Sequence, residues 1–221
     1  MSIKNKIPNL TTYMAAKKLP DKTVERLSQY RRTLLLANAS GKHHIFSHEL
    51  AAMLHITSVQ VRRDIMLIGY SGTLRQGYDV KELIDIIGKI IDSREGQKVA
   101  VIGIGNLGRA IIGYFSGKRT KLTVVAGFDM NPEKVDRVYA GVWCYHFDKL
   151  TEIIKNENIT IAVLTVPASE AAAVAELLVQ AGIKGILNFT PKPINVPSNV
   201  YLEEYDMITS LEKLAYFVKK V

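Results

Sequence analysis

Three glycines at a regular spacing carry the clearest chemical signal in this sequence. Gly103, Gly105 and Gly108 form the pattern G-x-G-x-x-G at the start of a loop and predicted helix over residues 103–115. Such a loop turns tightly at its first glycine, lets a phosphate approach backbone N–H groups at its second, and packs helix against strand at its third. The pattern predicts a dinucleotide diphosphate site, with a ligand-free turn as the alternative. The predicted site residues are Gly103, Ile104, Gly105, Asn106, Leu107 and Gly108.

The segments on either side of the loop fit a nucleotide-binding βαβ unit. Residues 99–102 form a short apolar, β-branched run, and residues 123–128 form a second one that ends at Asp129, 21 residues past Gly108. A carboxylate at this position can accept hydrogen bonds from a ribose diol and would repel a 2′-phosphate. Asp129 therefore predicts NAD⁺ or NADH as the ligand, in preference to their 2′-phosphorylated forms.

Two later segments follow predicted strands at their carboxyl ends, where ligands bind in open α/β sheets. The strands cover residues 160–166 and 185–189, with an alanine-rich helix over residues 170–181 between them. Phe189 is predicted either to pack against a nicotinamide ring or to belong to the core. The candidate nucleotide contacts here are Thr165, Val166, Pro167, Asn188, Phe189, Thr190 and Pro191. The alternation of strands and helices predicts a parallel, doubly wound Rossmann sheet over residues 97–205.

The positive charge is confined to the first third of the chain. Residues 1–75 contain 12 Lys and Arg against four Asp and Glu, a net charge of +8, whereas the remaining residues sum to zero. A basic module joined to a neutral one indicates a polyanion-binding head, with nucleic acid as the expected partner and a solvated basic face as the alternative.

The same third has the layout of a winged helix-turn-helix. Helical periodicity begins at Asp21, a second helix is expected from the N-cap Ser47 to His55, and Thr57 to Gln60 is a capping box that opens a third helix. A glycine-punctuated hairpin follows, and then a helix over residues 81–91. Three helices followed by a wing predict that the third helix enters a major groove.

On such a third helix, the N-terminal and outward side chains would meet the bases. The candidate DNA contacts are Ser58, Gln60, Arg62 and Arg63, together with Arg75 in the wing. Arg can read guanine and Gln can read adenine. Gln60 is also required by the capping box, and Arg62 or Arg63 is expected to pair with Asp64. Arg31 and Arg32 fit either phosphate contacts or a solvated face.

The residues needed for catalysis are missing. His146 is the only histidine in the second half of the chain, and the other four histidines do not have the spacing of a zinc site. A single cysteine, Cys144, excludes an internal disulfide, and no apolar run approaches the roughly 18 residues that span a bilayer. We therefore expect a cytoplasmic protein that binds its nucleotide without converting it and holds no metal.

Taken together, the motifs resemble the Rex family of redox-sensing transcriptional repressors. The similarity runs from about Thr23 to the end of the chain. It is carried by Gln60-Val61-Arg62-Arg63-Asp64, Gly77-Tyr78, residues 103–108, Leu164-Thr165-Val166-Pro167 and residues 182–191. The chain departs from the family pattern at Ser28, Ile68 and Arg75.

The resemblance implies a homodimer that binds palindromic operator DNA when free or with NAD⁺, and leaves it on binding NADH. It implies that a C-terminal helix is exchanged between partners, and the apolar stripe of residues 209–221, opened by a box at Thr209, suits that role. By the same resemblance, Arg26, Tyr114 and Asp206 respond to the state of the nicotinamide, with Asp206 reaching the other subunit, and Tyr114 contacts the cofactor.

These inferences predict an α/β chain with four segments. They are an N-terminal extension over residues 1–20, a winged-helix DNA-binding domain over 21–92, a Rossmann NAD(H)-binding domain over 97–205 and a dimerisation helix over 206–221. Two alternatives remain open. One is a small NAD-dependent oxidoreductase with a basic oligomerisation arm, and the other is a CoA-binding protein of the same fold, against which Asp129 argues.

Overall fold

The computed structural model describes residues 19–115 and 121–219. The chain divides into two compact units, Met1–Ser93 and Arg94–Val221. The predicted extension over residues 1–20 lies outside the described residues except for Leu19 and Pro20, and the last two residues of the predicted C-terminal helix also lie outside them.

The first unit consists of helices around an apolar core and a small antiparallel sheet. Its elements are α1 (Asp21–Ala39), β1 (His44–Ile45), α2 (Ser47–Leu54), α3 (Ser58–Leu67), β2 (Tyr78–Asp79) and α4 (Val80–Ile91). The residues that recur every three or four positions along α1, Leu27, Tyr30 and Leu34, are fully buried. They pack with the apolar faces of α3 and α4, because a stripe of this width must be covered by other helices.

The wing lies between α3 and α4. Strand β2 pairs with β1, and a bridge between Thr73 and Gly77 closes the turn at the tip. Gly77 has φ +73°, and a Cβ there would lie 2.5 Å from the carbonyl oxygen of Ile45, so the close pairing of these strands requires glycine. The predicted winged helix-turn-helix is confirmed.

The second unit is built on one seven-stranded sheet. Its strands are β3 (Gln97–Ile102), β4 (Leu122–Asp129), β5 (Arg137–Tyr139), β6 (Val142–His146), β7 (Ile161–Leu164), β8 (Gly185–Asn188) and β9 (Tyr201–Glu204). Its helices are α5 (Asn106–Phe115), α6 (Leu150–Asn156), α7 (Ala171–Ala181) and α8 (Met207–Val218). The sheet order is β5-β6-β4-β3-β7-β8-β9, and every pairing is parallel except that of β5 with β6.

Apart from the edge strand β5, this order is the Rossmann arrangement 3-2-1-4-5-6, so the predicted doubly wound sheet is confirmed. Alternate residues of β3 enter different cores. Ala100 and Ile102 pack with α6 and α7, whereas Val99 and Val101 pack with α5. Helices therefore cover both faces of the sheet, as a parallel sheet requires.

Two predicted helix starts are wrong. The N-cap of α2 is Phe46, one residue before Ser47, because the Glu49 carboxylate accepts the N–H of Phe46 at 2.8 Å. Helix α8 begins at Met207, since the carboxylate of Asp206 accepts the N–H of Ile208 at 2.8 Å and the hydroxyl of Thr209 at 2.6 Å. Thr209 is therefore a donor in the first turn and not the cap.

Candidate functional site

A cavity of about 760 Å³ opens at the carboxyl ends of β3, β4 and β7 in the second unit. This is the point at which the strand order reverses, and the volume is that of a typical small-ligand pocket. It is lined by Ile102, Gly103, Gly105, Phe128, Asp129, Met130, Asn131, Lys134, Phe147, Thr165, Val166, Pro167, Glu170 and Val174.

The glycine loop at one side of this cavity is held by backbone and hydroxyl contacts. The Thr165 hydroxyl lies 2.7 Å from the carbonyl oxygen of Gly103 and 2.9 Å from that of Ile102. A Cβ at Gly108 would lie 2.1 Å from the carbonyl oxygen of Gly103, so the helix approaches the loop as closely as backbones allow. A Cβ at Gly105 would meet no atom within 4 Å. Gly105 therefore leaves open space in front of the N-terminus of α5, where a phosphate group can approach.

Asp129 is one of three charged residues that line the cavity, with Lys134 and Glu170, and its carboxylate is hydrogen-bonded to the glycine loop. It accepts the N–H of Ile104 at 2.8 Å and that of Asn131 at 2.8 Å, and it pairs with Lys134 at 3.2 Å. Burial opposes ionisation of this group, but the two backbone N–H groups and Lys134 outweigh it and lower the pKa of Asp129. The carboxylate is thus ionised at neutral pH and can accept hydrogen bonds from hydroxyl groups of a ligand.

The structure does not bring all predicted nucleotide contacts to the cavity. Thr165, Val166 and Pro167 line it. Asn188 and Thr190 are buried, and their side chains are hydrogen-bonded to each other. Both also donate to the carbonyl oxygen of Lys192, so their polar atoms stabilise the loop after β8.

The remaining predicted contacts lie outside the lining. Phe189 packs against the core, and its ring lies 5.2 Å from that of Tyr205. Tyr114 is 62% exposed on α5. Ile104 is fully buried, and Asn106, Leu107 and Pro191 are exposed.

Several apolar lining residues were not predicted from the sequence. Met130 and Phe147 follow β4 and β6 at their carboxyl ends, and they give the cavity an apolar wall beside Asp129. Phe147 was missed because β6 was missed. A signal for Met130 was present, since it directly follows Asp129.

In the first unit, α3 presents the predicted DNA contacts. The Thr57 hydroxyl accepts the N–H of Gln60 at 3.2 Å and caps the helix. The other half of the predicted capping box is wrong, because the Gln60 side chain donates to Asp64 at 2.9 Å. Arg62 and Arg63 are exposed, and Arg62 also donates to the Ser47 hydroxyl at 3.2 Å. Ser58 is half-buried at the first turn, and Arg75 is exposed in the turn between Thr73 and Gly77.

The expected pairing of Arg62 or Arg63 with Asp64 is wrong. Asp64 is buried and faces α1, where the Arg26 guanidinium pairs with it at 2.6 Å and the Tyr30 hydroxyl donates to it at 2.7 Å. Burial opposes its ionisation, but the hydrogen bonds from Arg26, Tyr30 and Gln60 prevail and lower the pKa of Asp64. The negative charge of α3 is thus neutralised inside the unit, and the exposed face of the helix retains two uncompensated arginines.

Of the two arginines on α1 that could contact phosphates, Arg31 already forms an ion pair within the protein. Arg31 pairs with Asp92 at 2.7 Å and its side chain is only 12% exposed. Arg32 is exposed. Arg31 therefore has a structural role, because its ion pair with Asp92 holds the end of α4 to α1.

Comparisons with known proteins match both units and the chain as a whole. The family model "Putative DNA-binding protein N-terminus" matches residues 18–65, and the model "CoA binding domain" matches residues 94–192. The redox-sensing transcriptional repressor Rex of Anoxybacillus flavithermus is 41% identical over 202 residues, which are 91% of this chain and 95% of that protein. The chain belongs to the Rex family. The Rex repressor of Geobacillus kaustophilus is 39% identical over 91% of this chain and 94% of its own.

Solved structures of a Rex-family repressor, RSP, have the same fold. RSP in complex with β-NAD⁺ and operator DNA matches with a TM-score of 0.84 at 30% identity, covering 92% of this chain and 94% of that one. RSP in complex with β-NADH matches with a TM-score of 0.81 at 30% identity, over 92% and 96% of the two chains. Membership of the Rex family confirms the predicted class, a redox-sensing transcriptional repressor and not an enzyme.

The part of the chain that the structure describes contains no cluster of three metal-ligating side chains. Within residues 19–115 and 121–219, no helix is both long and apolar enough to cross a membrane.

Proposed function

We propose that this chain represses transcription by binding operator DNA through its first unit, either without nucleotide or with NAD⁺, and releases the DNA when its second unit binds NADH. The observation that carries this proposal is the occurrence in one chain of a dinucleotide cavity and a winged helix with exposed arginines. The relatives that it matches over nine-tenths of its length are redox-sensing repressors, and RSP has been solved with both NAD⁺ and operator DNA.

In the second unit, the nucleotide is bound by the loop of residues 103–108, by Asp129 and by the segment Thr165 to Pro167. The diphosphate takes the space in front of Gly105, and the ribose hydroxyls donate to Asp129. The nicotinamide end extends toward Asn188, Phe189, Thr190, Pro191 and Tyr114, which lie outside the lining of the cavity.

In the first unit, the N-terminal and outward residues of α3 meet base edges, and Arg75 reaches the duplex from the wing. The base-reading residues are Ser58, Gln60, Arg62 and Arg63. A protein with such contacts reads half-sites of a palindrome when it is a dimer. Arg26, Tyr114 and Asp206 respond to the oxidation state of the nicotinamide. NADH and NAD⁺ affect DNA affinity differently because they differ in their preference for one arrangement of the dimer over the other. A coupling free energy of about 1–3 kcal/mol changes operator affinity roughly 5- to 150-fold.

The dimer forms through α8, which is exchanged between partners. Every described side chain of this helix is exposed, including the large apolar residues. These are Met207, Ile208, Leu211, Leu214, Tyr216, Phe217 and Val218. A contiguous apolar face of this size is unfavourable in water and is covered in the assembled protein. The four segments proposed from the sequence then act as extension, DNA-binding domain, nucleotide-binding domain and dimerisation helix of a cytoplasmic repressor.

A gel shift on a duplex selected from a random pool tests the proposal. The complex should persist with NAD⁺ and dissociate with NADH, while CoA should have no effect. CoA is the relevant competitor because the second unit matches a family model named for CoA binding. Equal effects of NADH and NAD⁺ would contradict redox sensing, and dissociation by CoA alone would identify a different ligand.

Substituting Asp129→Ala should weaken both NADH and NAD⁺ roughly 10- to 150-fold, because hydrogen bonds to a charged group contribute about 1.5–3 kcal/mol. Isothermal titration calorimetry measures the affinity of the variant for each nucleotide. The matched control is Lys134→Ala, which removes the partner of Asp129 but keeps its acceptor oxygens. Lys134 is one-third exposed, so its loss should cost less than about 1 kcal/mol. Unchanged affinity in the Asp129 variant would refute the assignment of the ribose site.

A further inference from the structure

A buried carboxylate on α3 is the centre of a hydrogen-bond cluster that includes a proposed base-reading side chain. The side chain of Asp64 is 2% exposed. One oxygen accepts from Nε of Arg26 at 2.6 Å and from the Tyr30 hydroxyl at 2.7 Å. The other accepts from the Arg26 guanidinium at 2.9 Å and from Nε2 of Gln60 at 2.9 Å. Each oxygen of the Asp64 carboxylate thus accepts two hydrogen bonds.

This cluster determines which way the Gln60 amide is turned. An ionised carboxylate only accepts hydrogen bonds, so the group of Gln60 that faces Asp64 must be the NH₂ and not the carbonyl. One N–H of that group is used by Asp64. The amide oxygen Oε1 and the second N–H remain available for another partner, and the half-buried side chain keeps part of its surface exposed.

We propose that Asp64 is a positioning residue for DNA recognition, which holds the Gln60 amide in the orientation that reads adenine. This inference rests on the proposed DNA-binding function of α3 and specifies one element of its sequence preference. Asp64 itself does not contact the duplex. It acts through Gln60, one helical turn earlier on the same helix.

The chemistry of the bases explains why adenine is selected. In the major groove, adenine presents the N6 amino donor and the N7 acceptor, which match Oε1 and the second N–H of a glutamine amide. Guanine presents two acceptors, O6 and N7, and would place O6 against Oε1. A freely rotating glutamine could turn its NH₂ toward guanine, whereas an amide held by Asp64 cannot do so without losing its buried hydrogen bond.

The test uses adenine analogues in the duplex that the wild-type protein selects from a random pool. Each adenine is replaced in turn by 7-deazaadenine, which lacks N7 but keeps Watson–Crick pairing. For the wild type, one replacement per half-site should raise the dissociation constant roughly 5- to 150-fold, the range for a good side chain–base pair. Replacing the same adenine by guanine should have an effect at least as large.

Three variants separate positioning from general destabilisation. In Gln60→Ala and in Asp64→Asn, replacement of that adenine should have no further effect. In Tyr30→Phe, which removes a donor to the other oxygen of Asp64, the sensitivity to 7-deazaadenine should be kept even though the unit is less stable. If Asp64→Asn keeps the sensitivity, or if Tyr30→Phe loses it together with stability, the positioning role is overturned.

A measurement on the wild-type protein covers the case in which Asp64→Asn does not fold. The ¹⁵N relaxation of the Gln60 side-chain amide, assigned by its loss in Gln60→Ala, should show an amide as rigid as the backbone of α3. The exposed Gln76 in the wing is the reference for a mobile amide. Equal mobility of the two would overturn the inference. Failure to select any duplex would instead refute DNA binding as such, whereas selection without sensitivity to 7-deazaadenine refutes the positioning role alone.

Discussion

Replacing Gly108 with alanine should abolish nucleotide binding, with at least a 100-fold loss of NADH affinity. The added Cβ would lie 2.1 Å from the carbonyl oxygen of Gly103 and 3.1 Å from the Thr165 hydroxyl. Neither the loop nor the end of β3 before it can move without breaking the hydrogen bonds that the Thr165 hydroxyl donates to the carbonyl oxygens of Gly103 and Ile102. We expect α5 to move away from the loop and the second unit to lose about 1–3 kcal/mol or more of stability, as overpacked sites do. Calorimetric titration with NADH and thermal unfolding measure the two effects.

Two other glycines provide matched controls for this substitution. Gly113→Ala lies on the same helix, and its Cβ meets nothing within 4 Å, so affinity should be unchanged and stability unchanged or slightly raised. Gly105→Ala also meets no protein atom, and the unliganded protein should fold normally. Its Cβ would occupy the space proposed for the diphosphate, so NADH binding should weaken without loss of stability. Full NADH affinity in the Gly105 variant would contradict that placement.

The double substitution Arg62→Ala and Arg63→Ala should reduce operator affinity at least 100-fold and leave NADH affinity intact. Both side chains are exposed on α3, and Asp64 does not neutralise them because it pairs with Arg26. Loss of one bidentate base contact costs about 1–3 kcal/mol, and loss of phosphate contacts also lowers the dependence of affinity on salt. Gel shifts at several salt concentrations measure both quantities.

The control for this double variant removes the same charge from another helix. Lys81 and Lys89 are exposed on α4, and their joint replacement by alanine should lower affinity much less. A comparable loss in both double variants would mean that only the net charge of the first unit matters. If the arginine variant no longer unfolds cooperatively, its loss of operator affinity results from misfolding. That outcome would contradict the assignment of a recognition surface.

Two of the unpredicted strands, β5 and β9, illustrate where local patterns carry little information. Strand β5 is a three-residue edge strand without buried residues, and β9 is an edge strand whose residues are mostly exposed. Such strands exist because the neighbouring strand offers unpaired N–H and C=O groups, and not because their own residues form an apolar run. By contrast, β3 has four consecutive buried residues, and its position was predictable.

The fold class, the two-part organisation and the loop of residues 103–108 were determined by the sequence alone. Their signals are local: helical periodicity, apolar runs, glycine spacing and the concentration of charge in residues 1–75. The partner of Asp64 was decided by the tertiary structure. Arg26 is 38 residues away along the chain, and its contact exists because α1 packs on α3. Arg62 and Arg63 are close in sequence, but they lie on the exposed face of α3 while Asp64 points into the core. Helix geometry turns side chains one or two positions apart to different faces, so proximity in sequence could not identify the ion pair.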